Sequence, residues 1–234
     1  MIIFIIKLLI IIYLIYSIRK IYDMINYNKH GTIVEISNPN KDNIESKLDT
    51  KNILLLKTNL DLNVSLTNLN ALIPGYIIDD NDTLLSMDEL SKSPIIKIYK
   101  NYKIIKDFKL NDKLSDILDL VTNVFSCGKE YSLSLYKGEH TSSLLKNYRE
   151  TNLLSVLENE LLIYLFNPKH EKDIKGNNIN SIKKWGIKIN LKQGDTLYIP
   201  PEWYYFFQVK DNVIFTQIEC DSYSTYLYNC LRKK

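Results

Sequence analysis

The chain is poor in the residues that build tight turns, staples and metal centres: of 234 residues, 7 are glycine, 6 proline, 3 cysteine and 3 histidine. With so little glycine there is no Gly-x-Gly-x-x-Gly, no P-loop and no Gly-x-Ser-x-Gly elbow, so nucleotide-phosphate cradles and a hydrolase nucleophile of that type are excluded. Cys127, Cys220 and Cys230 are too few and too far apart for a disulfide framework. No Cys-x-x-Cys or Cys/His pair points to structural zinc, and a reducing compartment fits best. An excess of one charge is also missing, because 30 Lys and Arg stand against 27 Asp and Glu and are scattered along the chain. No nucleic-acid partner is therefore expected. Asp79, Asp80 and Asp82 in "IIDDNDT" lack the glycine and distal glutamate of a calcium loop and read as a solvated turn. The sequons at Asn63 and Asn81 are what chance gives in a chain so rich in Asn, Ser and Thr.

What abounds is Ile, Asn, Lys and Leu, with 17 tyrosines, the imprint of an AT-rich genome of the kind some large DNA viruses carry. That bears on origin and not on mechanism. The amino terminus carries the clearest signal. From Ile2 to Ile18 only Lys7 is charged and only Ser17 otherwise polar. A helix of that run measures roughly 26 Å against a hydrocarbon core of about 30 Å, and extension through Ile21 and Tyr22 completes a span. Lys7, Arg19 and Lys20 can snorkel, while Tyr13, Tyr16 and Tyr22 suit the headgroup region. A cleaved signal peptide needs a basic start and an Ala-x-Ala-like site, and neither is present. Arg19, Lys20 and Lys29 follow the run, so the positive-inside rule favours a cytosolic carboxy-terminal domain. The expected organisation is a transmembrane anchor over residues 1–22, a tether over 23–31 and one domain over 32–234, with a strand-rich core at about 130–220.

No repeat or long linker divides that domain. "TIVEI" and "NILLLKT" read as strands on either side of a weak helix near Ile44–Leu48, Ser86 as an N-cap before "MDELSK", and "PIIKIYKNYKIIKDF" as two strands turning near Asn101. Asn111 or Asp112 is placed to cap "KLSDILDLVTNVF", whose Leu114, Ile117, Leu118, Val121, Val124 and Phe125 recur at helical steps and imply core packing. From Glu130 onward short apolar runs follow one another: "YSLSLY", "NLLSVL", "LLIYLF", "WGIKINL", "TLYI", "WYYFFQV" and "NVIFTQIE". The closing "YSTYLYNCL" reads as a short helix or an edge strand. Many short strands argue for a mainly β fold with peripheral helices, a sandwich or jelly roll. Alternating residues of the Trp203–Phe207 run are expected to fill its interior, Glu158 and Glu160 to lie at the surface, and His140 and His170 to sit in solvated loops.

"GDTLYIPPEWYYFFQV" (Gly194–Val209) and, less closely, "SLLKNYRETNLLSVLENELLIYLFNP" (Ser143–Pro168) resemble the metal-binding strands of JmjC and cupin-8-type proteins. The resemblance covers about Tyr131 to Glu219 and implies a double-stranded β-helix, the fold of Fe(II)/2-oxoglutarate hydroxylases. Its ligand positions fall on Lys146, Tyr148 and Tyr205, where the family has histidine, a carboxylate and histidine. An ammonium repels a cation, and a phenol with pKa about 10 donates well only as phenolate. The family's 2-oxoglutarate lysine has no counterpart among Glu160, Leu161, Leu162 and Ile163. The expectation is thus a membrane-anchored pseudoenzyme without metal or cofactor that serves as a binding or structural module, its partners the bilayer and another protein. The alternatives are an active oxygenase with unusual ligands, or a metal-free cupin holding a small molecule.

Overall fold

Strands that are apolar on both faces need cover on both, and this chain supplies it in successive layers. The computed structural model describes residues 2–25, 31–48, 50–58, 64–72, 75–79, 84–86, 89, 92–122 and 126–232. The Asn63 and Asn81 sequons, His30, Asp80, Asp82, Val124, Phe125 and most of "MDELSK" lie outside these residues. The chain opens with α1 (Ile2–Ile25), β1 (Ile33–Ile36), α2 (Lys41–Leu48), β2 (Ile53–Lys57), α3 (Leu66–Leu72), β3 (Ile77–Asp79) and β4 (Leu84–Ser86). It continues with β5 (Ile96–Asn101), α4 (Tyr102–Asp107), α5 (Asn111–Val121), β6 (Ser126–Lys137), β7 (His140–Thr141), β8 (Leu145–Lys146), β9 (Thr151–Glu158) and β10 (Glu160–Phe166). After the short α6 (Glu171–Ile174) and α7 (Ile179–Ile182) come β11 (Ile187–Lys192), β12 (Asp195–Tyr198), β13 (Tyr204–Val209), β14 (Val213–Ser222) and α8 (Tyr223–Arg232). The fold is mixed, with more helix than the sequence reading expected.

Seven strands form one sheet in the order β1-β2-β12-β9-β14-β6-β5, and a smaller sheet runs β11-β10-β13-β7, with β8 also paired to β13. Between the two sheets lies a core of Leu154, Val156 and Phe215 from the large sheet and Ile163, Leu165 and Phe207 from the small one. The outer face of the large sheet buries Leu133, Leu153 and Ile218 against Ile44 of α2, Leu69 of α3, Ile104 of α4 and Leu114, Ile117 and Leu118 of α5. The outer face of the small sheet buries Phe166, Tyr204 and Phe206 under Ile174 and Ile182 of α6 and α7. Alternation along β13 sends Tyr205 and Phe207 inward and Tyr204 and Phe206 outward, so all five aromatics from Trp203 to Phe207 are buried. Gly31, at φ +60°, lies so close to Trp203 that a Cβ there would stand 2.8 Å from the indole ring.

Two local expectations are corrected and one open alternative is resolved. "YKIIKDF", after Asn101, is not a second strand, because the Asn101 side chain accepts a hydrogen bond from Ile104 N at 3.0 Å and starts α4, which buries Ile104 and Ile105. Neither Asn111 nor Asp112 caps α5, whose N-cap is Leu110, without a side-chain cap. The carboxy-terminal segment resolves as helix. Glu158 and Glu160 flank a turn at Asn159, with φ 61°, and Glu160 accepts from Asn190 at the surface.

Among the described residues no helix is long and apolar enough to cross a membrane. The apolar run of α1 contains Lys7 and gives way to Arg19 and Lys20, and the helix continues through Ile25 into the segment read as tether. Its residues from Ile3 to Tyr16 are apolar but for Lys7 and are exposed throughout, whereas Ser17, Lys20, Ile21 and Met24 are shielded at three- and four-residue steps. The last two turns of α1 therefore dock on the domain.

Loss of the α4 cap is the simplest check on the corrected reading. Asn101→Ala should lower stability by about 1 kcal/mol in urea unfolding, while Asn101→Asp, which can still cap, should lose only a fraction of that.

Candidate functional site

The ligand positions implied by the family resemblance divide between two faces of the small sheet. Tyr204 pairs with Lys146 and Tyr205 with Leu145 in the β13–β8 register, so Lys146 shares the outward side of Tyr204 while Tyr205 points between the sheets. Lys146 and Tyr148 do meet, but outside the sandwich. Lys146 Nζ lies 2.8 Å from Glu202 and stands over the rings of Tyr204, at 4.9 Å, and Tyr148, at 5.5 Å. Arg232 closes the cluster by stacking on Tyr148 at 5.0 Å and gripping both carboxylate oxygens of Glu202. Burial opposes ionisation of Glu202, yet Arg232 and Lys146 hold its pKa below the ordinary value. This tight pairing keeps Glu202 in place at φ 67°, in the left-handed region.

Tyr205 reaches across the interior to the large sheet, where its hydroxyl accepts a hydrogen bond from Gln217 Nε2 at 3.0 Å. The same Nε2 lies 2.9 Å from Asn152 Oδ1 and 3.3 Å from Glu219 Oε1, so three acceptors share its two N–H groups, and Glu219 pairs with Lys100 at 2.8 Å. Tyr136, Phe207 and Phe215 pack beside this polar chain with centroids 5.2–6.0 Å apart, Phe207 edge-on to the other two rings. The three positions do not fit a metal ion: an ammonium and an exposed phenol lie on one side of the sheet, and a hydrogen-bonded phenol lies on the other. Among the described residues no three His, Cys, Asp or Glu side chains are grouped as a metal ion would need.

The two described histidines are built into the structure and are not solvated loop residues. His140 pairs with Val209 on β13 and stacks on Tyr136 at 4.9 Å; burial, with Lys97 nearby, lowers its pKa and favours the neutral ring. His170 stacks on Trp185 at 5.0 Å.

The site that sequence reading missed is the junction between α1 and the domain. Glu150, in the turn before β9, accepts from Lys20 of α1 at 2.6 Å, from the Thr225 hydroxyl at 2.8 Å and from the Ser222 amide at 3.0 Å. Burial opposes its charge, but Lys20 and these donors outweigh that and hold its pKa below the usual carboxylate range. One step further, the hydroxyls of Ser17 and Ser224 share a hydrogen bond of 2.8 Å. Asp221 holds the surrounding frame by accepting from Arg149, the Glu150 amide and Asn229. Beside the junction opens a cleft of about 880 Å³ between Arg19 and Met24 of α1, Lys41 and Glu45 of α2, Lys51 and the ends of the large sheet. Burial lowers the Lys51 pKa, with Asp23 partly offsetting it.

Because the folded state holds Glu150 at a depressed pKa, its stabilisation is present above the unfolded carboxyl value of about 4.3 and is lost as pH falls through the folded value. Glu150→Gln should lower stability by about 1–3 kcal/mol at neutral pH, and urea titrations should show the gap to the unmodified chain closing as the medium is acidified. No protein-family model and no curated protein matches the chain.

Proposed function

We propose that this chain is a membrane-attached protein in which α1 embeds in a bilayer as its single anchor and holds a non-catalytic domain of the jelly-roll, cupin-like kind against the membrane surface. The observation that carries this reading is the exposed apolar length of α1. Apolar side chains from Ile3 to Ile18 stand in solvent around the helix, while only its last two turns are used for packing on the domain. Lys7 at one end and Arg19 and Lys20 at the other can reach headgroup layers by snorkelling. The basic residues that follow the run favour the domain on the cytosolic side.

The jelly-roll reading is supported by the strand order. The strands from β6 to β14 form the orders β12-β9-β14-β6 and β11-β10-β13-β7, with successive strands passing back and forth between the sheets. The remaining strands of the large sheet, β1, β2 and β5, add to its two edges. Between the sheets Tyr205, Phe207, Phe215 and Tyr136 fill the space in which a cupin-type ligand would sit, so the domain serves as a binding or structural module that works through its surface. Another protein at the membrane is the partner this surface role implies.

Two measurements test the reading. The full chain should float with phosphatidylcholine vesicles and stay with the membrane through alkaline carbonate extraction. Leu9→Asp combined with Ile12→Asp should release it, since each mid-helix aspartate costs about 2.5–3.5 kcal/mol of insertion. Oxygen-dependent turnover of 2-oxoglutarate by the purified chain with Fe(II) would contradict the non-catalytic reading.

A further inference from the structure

Helix α8 is amphipathic in the opposite sense to a helix that covers a protein core. Its polar residues Ser224, Thr225 and Asn229 are buried at 4%, 0% and 4% exposure, whereas Tyr223, Leu227 and Leu231 stand out at 56%, 60% and 74%. Each of these residues is bonded to the domain or to α1: Ser224 to Ser17 of α1, Thr225 to Glu150, and Asn229, through Nδ2, to the Tyr148 carbonyl at 2.8 Å, leaving only Asn229 Oδ1 without a partner. The helix is therefore fixed with its apolar stripe outward. Tyr226 lies on that stripe and rests against Gly128 of β6, where a Cβ would come within 2.8 Å of its ring. A face of this kind, held outward by the hydrogen bonds on the opposite side, implies an apolar or interfacial surrounding.

The position of α1 identifies that surrounding. Ser17 and Lys20 are bound to the domain, so the part of α1 that clears it runs from Ile3 to Tyr16, about 21 Å at roughly 1.5 Å per residue. That is short of a hydrocarbon core of about 30 Å. A helix clamped in this way can lie deep in a bilayer only if the side of the domain that grips it is drawn into the headgroup layer, and α8 is on that side. Two tyrosines with leucines are the composition of an interfacial contact, the rings at headgroup level and the aliphatic groups beneath.

We infer that the outward face of α8 is a second lipid-contacting surface, lying in the interface plane of the same bilayer that receives α1. This rests on the membrane attachment proposed above, and the experiment separates the two. Cys230 falls within the stripe and is exposed, whereas Cys220 is buried. The full-length Cys127→Ser chain is labelled at Cys230 with an environment-sensitive fluorophore and reconstituted into phosphatidylcholine vesicles. The label should be quenched by doxyl groups on the lipid chains and protected from aqueous dithionite, unlike a label on Lys210→Cys at an exposed turn. Leu227→Asp with Leu231→Asp should abolish lipid quenching while the chain still floats with the vesicles. A chain that floats with its Cys230 label open to dithionite overturns this inference and leaves the anchor intact. A label shielded from both quenchers means that protein covers the face, a second copy or a partner, and also overturns it. A chain that does not float removes both readings together.

Discussion

Glu150 is the constraint on which the arrangement of the molecule turns. A carboxylate half withdrawn from water is costly unless its charge is paired and its oxygens are bonded. Here one oxygen takes Lys20 from the first helix, and the other takes Thr225 from the last helix and the Ser222 amide at the end of β14. Both ends of the chain are thereby tied to the turn that opens β9. Asp221 anchors the same turn from the other side by receiving Arg149 and the Glu150 amide. Helix α1 is consequently fixed to the domain, so that under the proposed membrane attachment an embedded α1 would set the domain's orientation.

The sandwich beneath this junction relies on aromatic filling. Tyr136, Phe207 and Phe215 pack between the sheets, and Tyr205 spans the gap to Gln217 with its hydroxyl satisfied. A phenol suits this position because most of it is apolar while its tip ends a polar chain running through Gln217 and Glu219 to Lys100. Lys146 and Tyr148 do different work on the outside: with Glu202 and Arg232 they tie the carboxy-terminal helix to the start of β13. The groups at the positions of the family's ligands thus serve packing and helix docking.

Period-two alternation made the strands from Glu130 onward legible in the sequence and implied that alternate residues of the Trp203–Phe207 run face inward, whereas the burial of Tyr204 and Phe206 depends on the cover that α6 and α7 give the outer face, which no pattern within the strand specifies. The same reasoning did not place Lys146, because a residue's face depends on the register of a two-residue strand, which no local pattern specifies. "YKIIKD" looked like a strand because its apolar residues are β-branched, and a single side-chain cap from Asn101 decided it for helix. The junction was hidden for another reason. Ser17, Lys20, Ile21 and Met24 lie at helical spacing, but inside so apolar a run their shared face carries no contrast. In α8 the buried side is the polar one, the reverse of what an amphipathic pattern is taken to mean.

The account stands on α1 being both embedded in lipid and clamped to the domain. Hydrogen exchange of the full chain in phosphatidylcholine vesicles tests both at once. The account predicts that amides from Ile3 to Tyr16 are protected by the bilayer and that those from Ser17 to Met24 are protected to a degree comparable with β14. Rapid exchange of Ser17 to Met24, as in a free tether, would contradict the clamp and with it the placement of the domain at the membrane.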